Sequence, residues 1–578
     1  MPTGRPTWPH PRPVTPLLLF AVALLAAAGV ITAATAAPAA DTRLAVPEDA
    51  ARLVPPGAAL VVALSSLAAA EIEWQALAEA FGSAPGSRDH SLLSAFGDGL
   101  PGFADVVADD RPLLVAVGLT GLVMGGSPDL TFVFPFRGDL ARLQYGGPGS
   151  PFVNLQQSGS YAALSSSPLL RPLDRPTALP LPDGLLAATV DLGLALKLGL
   201  PLLETGMDQL ATPRPDSTGA LQAALLTVAD AEAVKVSLRT VARCVTRLDL
   251  AMRRVDDRWE TMDRLHIVLG SELSPGPQPS FDQAARLTAL LPPGADLVQV
   301  AAMDLTRPFA VFEPIYLSDM KRTAALLDPA DARAYEAWYA DYLGLVPLTA
   351  RPVAAGLHVT EAGAFVHAVL AARDGKAAFA RVTGLLDRLS ALPVPVQLEP
   401  LADDGFPGAD VRAYRVKLDA PALLAPVPGA AAAVPQVAQV SGLFSRLVPE
   451  IRLARVGDTL LASADPDRRT LGAMIAACRD EAGRGPVDPR PAAAAAAGDG
   501  HVQEVIAGDL TSLWRWFSGL AGNLEGSAAL PGANALGPLP CHLTMSAWDG
   551  GLAGTFSVRR DDLLSLARAL TVGAPAPR

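Results

Sequence analysis

Two copies of one short stretch decide the fold: PPGAALV at residues 55–61 and PPGADLV at residues 292–298. The similarity continues downstream, where Arg111-Pro112 and Arg351-Pro352 each precede an apolar run at nearly the same offset from the repeated stretch. Self-similarity over such a distance indicates that a structural unit occurs more than once. The sequence therefore predicts two related halves, which start near residues 45 and 283.

A shorter pattern occurs four times, in which an apolar run ends in Ser or Asp and is followed by Leu and a helical pattern. The four polar residues are Ser66, Asp191, Asp304 and Asp509. Their side-chain oxygens can accept the free N–H groups of a helix's first turn. The runs before them are short and rich in Val, Leu and Ala, which is typical of mostly buried strands. We therefore predict four strand-to-helix corners.

The segments after each corner predict a repeated βαββα unit, closed in places by one more strand such as Tyr161–Ser165 or Thr459–Ser463. In the second half, strands at 353–359 and 365–371 flank a tight turn at Ala362-Gly363. The predicted fold class is α+β, with tandem duplicated βαββα(β) modules. Each module would form an antiparallel sheet with helices on one face, and modules could merge pairwise into larger sheets.

The composition shifts and repeats divide the chain into six predicted segments. They are a signal peptide or N-terminal anchor at 1–40, module 1 at 41–177, module 2 at 178–284, module 3 with extra strands at 285–479, a linker at 480–500 and module 4 at 501–578.

The first forty residues are typical of an export signal. Arg5 and Arg12 precede an apolar run, and Ala34-Thr35-Ala36 offers the small residues that signal peptidase accepts. The uncharged stretch 17–37 is 21 residues long, which also suffices to span a bilayer. We expect an exported protein, periplasmic or extracellular, and leave open a cleaved leader or an inner-membrane anchor at 17–37. Membrane contact is expected only through this segment, if it stays uncleaved.

Composition excludes several classes of protein. Of the 578 residues, 50% are hydrophobic and 18% are charged, which excludes a disordered chain. A net charge of −12 argues against nucleic acid as a partner. The three cysteines, Cys244, Cys478 and Cys541, lie far apart without a CxxC pair, which excludes a disulfide framework and a four-ligand zinc site. One bridge among them stays open, although buried thiols are favoured.

No cofactor is expected, because the sequence contains no P-loop, HExxH or GxSxG motif. Ser318 and Lys321 match a serine-x-x-lysine pattern, in which the lysine can take the serine proton. The companion elements of that pattern are missing, so we interpret it as coincidence. The charged stretch 253–264 mixes both signs and predicts a solvated hairpin loop.

Two histidines are the candidate metal ligands. The predicted hairpin places His358 directly opposite His367, and two imidazoles on one face could share a metal ion. We expect that face to meet solvent or a partner. Because two ligands do not complete a site, no metal site is predicted.

Four aromatic residues on one predicted helix are the candidate ligand or partner surface. Tyr335, Trp338, Tyr339 and Tyr342 follow the i, i+3, i+4, i+7 spacing of a single stripe. The favoured interpretation is a core-facing stripe. The alternative is a groove for sugar rings or for a partner helix.

The Pro-Pro-Gly start of the first strand, the corners and the related halves behind an export signal resemble a loosely defined family of exported bacterial proteins. That family is known only as a domain of unknown function, and the resemblance implies no activity, cofactor or site residue. We therefore expect a non-enzymatic binding or scaffold protein of the bacterial envelope, whose partner is an unknown envelope protein or polymer. Alternatives are a hydrolase acting on an envelope polymer through carboxylates that folding brings together, and an architectural subunit of a membrane-associated assembly.

Overall fold

A computed structural model of the protein describes residues 43–571, apart from 82–90, 94–99, 120–127, 147–151, 212–227, 305, 326, 350, 361–362, 390, 393–395, 403–404, 419–447, 481–482, 497–501, 523–536 and 549. The predicted export signal at 1–40 lies outside the described residues. Among the helices that are described, none is both long and apolar enough to cross a membrane.

Eighteen strands form one continuous sheet. They are β1 (Ala58–Leu64), β2 (Leu113–Gly118), β3 (Asp129–Pro135), β4 (Asn154–Ser158), β5 (Tyr161–Ser165), β6 (Leu186–Val190), β7 (Val245–Val255), β8 (Arg258–Ile267), β9 (Leu297–Ala301), β10 (Val353–Val359), β11 (Ala364–Ala371), β12 (Val396–Pro400), β13 (Asp410–Leu418), β14 (Glu450–Val456), β15 (Thr459–Ser463), β16 (Val502–Asp509), β17 (Pro540–Trp548) and β18 (Gly551–Arg559).

The strands pair antiparallel in the spatial order β4-β5-β3-β2-β1-β6-β7-β8-β18-β17-β16-β9-β10-β11-β15-β14-β13-β12. The α+β class with antiparallel pairing is confirmed. The predicted modules do not form separate sheets, because strands from all four of the predicted segments join in this one.

The α-helices follow the strands at intervals along the chain. They are α1 (Glu48–Ala51), α2 (Leu67–Ala80), α3 (Phe103–Val106), α4 (Leu192–Ala211), α5 (Val228–Cys244), α6 (Phe281–Arg286), α7 (Thr306–Ala324), α8 (Pro329–Leu343), α9 (Val346–Thr349), α10 (Gly375–Leu389), α11 (Arg468–Arg479), α12 (Pro489–Ala496), α13 (Leu510–Gly522) and α14 (Arg560–Thr571).

All four predicted corners are confirmed as strand-to-helix junctions. The hydroxyl of Ser66 accepts the Ala69 N–H at 3.1 Å at the start of α2. The carboxylates of Asp191, Asp304 and Asp509 accept N–H groups at 2.7–2.9 Å at the starts of α4, α7 and α13. Each of these side chains accepts a hydrogen bond from a backbone N–H group of the first turn that has no partner within the helix.

The two repeated stretches occupy equivalent turns. Gly57 before β1 has φ = 77°, and Gly294 before β9 has φ = 81°, a region that glycine enters without steric penalty.

Outward from the β8–β18 pair, the strand order is β7, β6, β1, β2, β3, β5, β4 on one side and β17, β16, β9, β10, β11, β15, β14 on the other. Strand β1 pairs with β2 and β6 as β9 pairs with β10 and β16.

The expectation of helices on one face only is wrong. Neighbouring residues of β2 point to opposite faces: Leu113 packs with Leu67 at the start of α2, whereas Leu114 packs with Ala50 of α1. The cause is the sequence of the strands themselves, because apolar residues at consecutive positions need cover on both sides of the sheet. We call the side that carries α2, α4 and α7 the corner-helix face, and the other the opposite face.

Two further segments differ from expectation. The repeated βαββα unit predicts a second helix in module 1, after β3, but the chain there forms a single 3-10 turn, Leu140–Arg142. The predicted linker at 480–500 contains α12, whose Ala494 packs against Val502 and Val505. The alanine-rich run is thus helical and anchored on β16.

Candidate functional site

The corner-helix face of the sheet carries apolar side chains that are only half-buried. In β1, Ala59, Val61 and Ala63 are buried on the opposite face, and the residues between them are half-buried. A strand with one face toward water usually alternates apolar and polar residues. Strand β1 is instead apolar throughout (AALVVAL), so its second face is both apolar and accessible.

Hydrogen-bonded partner positions continue this surface across ten strands, from β2 to β10. The row through its middle, called the central row below, consists of Val115, Val62, Ala188, Leu250, Asp263, Gly554, Met545, Glu504, Ala301 and Val353. The neighbouring row consists of Leu113, Leu64, Leu186, Met252, Thr261, Phe556, Leu543, Ile506, Gln299 and Ala355. We call these two rows together the central apolar face.

The central apolar face is most open over β6 and β7. Leu250 is 40% exposed and Leu186 is 37% exposed. Toward β9 the surface closes, and Gln299 is only 5% exposed. The face therefore changes from an accessible apolar surface to a buried end that carries polar groups.

Two corner helices carry exposed apolar side chains. Ile72 and Trp74 of α2 are largely exposed, and so are Leu202 and Leu203 of α4. Glu73 fixes α2 to the sheet through an ion pair with Arg254 of β7 at 3.0 Å and with Arg560 of α14 at 2.8 Å. The helices around the face are thus held by charged contacts, while their apolar residues stay accessible.

Asp263 is one of two carboxyl groups in the central row. Its row neighbours are Leu250 on β7 and Gly554 on β18. Burial raises the pKa of Asp263 to about 6. Its Oδ2 atom is buried and has no hydrogen-bond partner in the part of the chain that the structure describes.

Glu504 is the second carboxyl group, and it lies beside Gln299. The Gln299 amide donates to a carboxylate oxygen of Glu504 at 2.5 Å. Burial raises the pKa of Glu504 to about 7, against a smaller lowering effect of this hydrogen bond. The Gln299 carbonyl oxygen is buried without a partner among the described residues.

The two carboxyl groups lie three strands apart in the central row. At about 4.8 Å between strands, their backbone positions are about 14 Å apart. Carboxyl pairs that hydrolyse glycosidic bonds lie roughly 5–9.5 Å apart. Asp263 and Glu504 are therefore too widely spaced for that chemistry, and each can act only as a separate acceptor or proton-holding group.

The chain matches no family model, no curated protein and no solved structure. The central apolar face is therefore interpreted from its own contacts and positions.

The histidine pair lies on the opposite face, in a register that differs from the prediction. His358 pairs with Phe365, and His367 pairs with Gly356, because the strands are offset by two residues from the predicted alignment. The rings still meet, with centroids 5.0 Å apart, since both residues point to the same side. The predicted turn residue Ala362 lies outside the described residues.

The expectation that the histidine face meets solvent is wrong for His367. This residue is 2% exposed, and its Nδ1 lies 3.1 Å from the Ser463 hydroxyl. Burial lowers the pKa of His367 to about 4, and burial also lowers the pKa of His358. Among the described residues, no group of three or more His, Cys, Asp and Glu side chains could hold a metal ion. The pair is best interpreted as part of the core.

The aromatic stripe of α8 also faces the core, so the alternative of an exposed groove is not supported. Tyr335, Trp338 and Tyr339 are buried, and Tyr342 packs against the same hydrophobic cluster. The Trp338 indole donates to the Leu385 carbonyl of α10 at 2.9 Å. The stripe joins α8 to α10 and offers no surface to a ligand.

The remaining candidates from the sequence are Ser318 and the three cysteines, and the structure shows the contacts or the burial of each. The Ser318 hydroxyl donates to the buried carboxylate of Asp230 at 2.8 Å, so it is oriented by an acid rather than by Lys321. Cys244, Cys478 and Cys541 are free thiols. Burial raises the pKa of both Cys478 and Cys541 to about 11, which keeps them protonated and unreactive at neutral pH.

Sequence reasoning missed the polar groups of the central apolar face. The stretch 253–264, predicted as a solvated loop, forms the facing ends of β7 and β8 around a turn at Asp256. The alternation of Trp259, Thr261, Asp263 and Leu265 on one side of β8 is a signal that could have placed Asp263 on a strand. Nothing local marks Glu504, since its burial depends on strands distant in the sequence.

Sequence reasoning also missed a polar cluster on the opposite face of β6, β7 and β8. The buried Asp249 carboxylate accepts from Thr189 and from His266, each at 2.7 Å, and pairs with Arg247 at 3.0 Å. Despite burial, these contacts lower the pKa of Asp249. The cluster satisfies one buried charge and thereby ties three strands together.

Proposed function

We propose that the protein is a non-enzymatic binding protein of the bacterial envelope, whose binding surface is the central apolar face. The observation that carries this proposal is the combination of accessibility and apolar character over β1, β6 and β7. Soluble proteins rarely leave large contiguous apolar surfaces open, and such surfaces mark interaction sites. Exposed apolar residues also occur on α2 and α4, which pack on the same side of the sheet.

The predicted export signal supports a location outside the cytoplasm. The basic residues, apolar run and small-residue cleavage site in residues 1–40 support export. The resemblance to exported bacterial proteins of unknown function supports the same location. Removal of the leader would release the protein, and an uncleaved leader would attach it to the membrane. The proposed binding face is the same in both cases.

We propose in addition that the two halves of the chain are tandem copies of one unit. The sequence repeat at 55–61 and 292–298 supports it, and so does the matching strand order on the two sides of the β8–β18 pair. The register agrees as well: Leu60 pairs with Val190 just before the Asp191 corner, as Leu297 pairs with Gly508 just before the Asp509 corner. Two copies of one unit would account for a binding surface that crosses the boundary between halves.

The two alternative functions, a polymer hydrolase and an architectural subunit, differ in the support they have. The spacing of Asp263 and Glu504 gives no support to a polymer hydrolase. The exposed apolar residues of α4, with Leu202 67% exposed, favour the architectural subunit as the second candidate, because such residues could pack against another protein.

A photoreactive amino acid at position 250 tests the binding proposal in the full-length protein in cells. We expect a crosslinked adduct at Leu250, on the open part of the face. Val487, 46% exposed, is the control position, because it precedes α12, which packs on the opposite face of β16. Equal labelling at both positions, or none at Leu250, would overturn the proposal, and the adduct mass separates a protein partner from a small molecule.

A further inference from the structure

The central apolar face contains two buried oxygen atoms without hydrogen-bond partners among the described residues: Asp263 Oδ2 and the Gln299 carbonyl oxygen. Both atoms are acceptors. Leaving a buried acceptor unsatisfied is costly, and such groups are few in native structures. Gln299 is more than nine-tenths buried, so water does not readily satisfy it. Asp263 lies next to Leu250, which is 40% exposed, so its unpaired acceptor matches a ligand that supplies a donor.

The surroundings of these acceptors are apolar. Leu250 flanks Asp263 on one side in the central row, and Gly554 and Met545 follow on the other before Glu504. Gly554 and Met545 are both buried, so the row is closed on the side of Glu504. Leu250 is 40% exposed, and a ligand can therefore approach Asp263 from the side of β7.

The apolar part of the row has the length of a lipid chain. From Asp263 the row crosses β7, β6 and β1 to reach Val115 on β2. These four strand spacings amount to about 19 Å. One leaflet of a bilayer's hydrocarbon core is about 15 Å thick. A single hydrocarbon chain of that length fits on the row.

We propose that the central apolar face binds an amphiphile with one long hydrocarbon chain and a hydrogen-bond-donating head, a protonated amine or a hydroxyl. The chain lies over β7, β6, β1 and β2, and the head lies at Asp263. This inference rests on the proposed binding function. It adds the chemical class of the ligand and the direction in which it lies.

The charge and the hydrogen-bonding groups of the head determine the expected order of ligand affinities. Above pH 6 the Asp263 carboxyl carries a negative charge, and the chain as a whole has a net charge of −12. An ammonium head makes charge-assisted hydrogen bonds to a carboxylate. A carboxylate head adds a third acceptor to two that already lack donors, and it is repelled by Asp263.

The test is calorimetric titration of the purified protein at pH 7.5 with three probes of equal chain length: dodecylammonium, dodecanol and laurate, each below the concentration at which it self-associates. We expect dodecylammonium to bind most tightly and laurate at least tenfold more weakly, since a charge-assisted hydrogen bond is worth about tenfold or more. Asp263→Asn should weaken dodecylammonium about tenfold and leave dodecanol nearly unchanged. Asp257→Asn, which removes a charge from the exposed turn between β7 and β8, should alter none of the three affinities.

The wild-type order of affinities needs no variant and guards against misfolding of Asp263→Asn. Equal binding of laurate and dodecylammonium would overturn the inference, and so would the absence of binding by all three probes. A protein adduct at Leu250 in the crosslinking experiment, together with no probe binding, rejects the amphiphile but keeps the proposed function. No specific adduct at Leu250 rejects the proposed function itself.

Discussion

At the scale of single residues, burial raises the pKa of a carboxyl group, and the neighbouring side chains offset this effect to a different extent at each site. Asp249 is buried, but two hydrogen bonds and Arg247 stabilise its charged form, and its pKa falls. Glu504 has only the Gln299 amide to offset burial, and its pKa rises. A buried charge is tolerated where partners surround it. Asp263 and Glu504, the two acids of the central row, are thus poorly compensated.

Glu504→Gln should stabilise the protein at alkaline pH. The pKa of Glu504 is about 7 in the folded state and near 4.5 when unfolded, so the folded state binds more protons between these values and wild-type stability falls as pH rises from 4.5 to 7. We expect the variant to have a free energy of unfolding about 1–3 kcal/mol above wild type at pH 8 and equal to it at pH 4.5. Urea denaturation at both pH values measures this difference, and an equal offset at both would contradict it.

His367→Gln tests the opposite pH dependence. The pKa of this imidazole is about 4 in the folded state and near 6.5 when unfolded, so its contribution is intact above pH 6.5 and declines as the pH falls toward 4. Wild type should lose about 2 kcal/mol from this group between pH 7 and pH 5, and the variant should lack that part of the slope. Urea midpoints at pH 7, 6 and 5 show the difference, and parallel curves would refute it.

At the scale of elements, local sequence signals sufficed for most strands and all four corners. The strands predicted at 161–165, 353–359 and 459–463 have those boundaries, because each is an apolar run between turn residues. The caps were predictable because a side-chain oxygen before a helix acts on donors two or three residues away. Such interactions need no knowledge of the rest of the chain.

Register and face were less predictable. The hairpin of β10 and β11 differs by two residues from the predicted pairing, because a shift of two residues leaves every side chain on the same face, so that the apolar pattern does not distinguish the two registers. The consecutive apolar residues of the strands did indicate cover on both faces of the sheet, which the expectation of helices on one face overlooked. Asp263 and Glu504 join one row only through the β8–β18–β17–β16 order, which the local sequence does not show.

Two glycine substitutions test how closely the elements pack. A Cβ atom on Gly508 of β16 would lie 2.0 Å from the Asp296 carbonyl oxygen, a backbone atom that cannot move aside. We expect Gly508→Ala to lower the free energy of unfolding by about 1–3 kcal/mol. Gly384 lies within α10 with open space at its Cβ position, so Gly384→Ala should raise it by about 0.5–1 kcal/mol. Thermal and urea unfolding of both variants should show changes of opposite sign.

At the scale of the whole molecule, one antiparallel pair joins the two halves of the sheet. Strands β8 and β18 pair over nine positions, with Met262 opposite Thr555 at the middle. Helices reinforce this junction: Ala80 of α2 packs with Leu564 and Ala567 of α14. The Ser237 hydroxyl of α5 donates to the Val311 carbonyl of α7 at 2.8 Å. Because the central apolar face crosses this junction, the face is complete only while the halves stay together.

Cleavage of the folded chain between the halves tests whether these contacts are sufficient. A protease site placed at the exposed connection around Leu269, which is 72% exposed, lets the intact protein be cut after folding. We expect both fragments to elute together in size-exclusion chromatography and to retain probe binding, because the β8–β18 ladder and the two helix contacts persist without the covalent link. A cut chain that is afterwards unfolded in urea should regain the complex slowly and in a concentration-dependent manner, since association replaces a loop closure. Fragments that separate without denaturant would show instead that the chain connection, and not the strand pair, holds the sheet together.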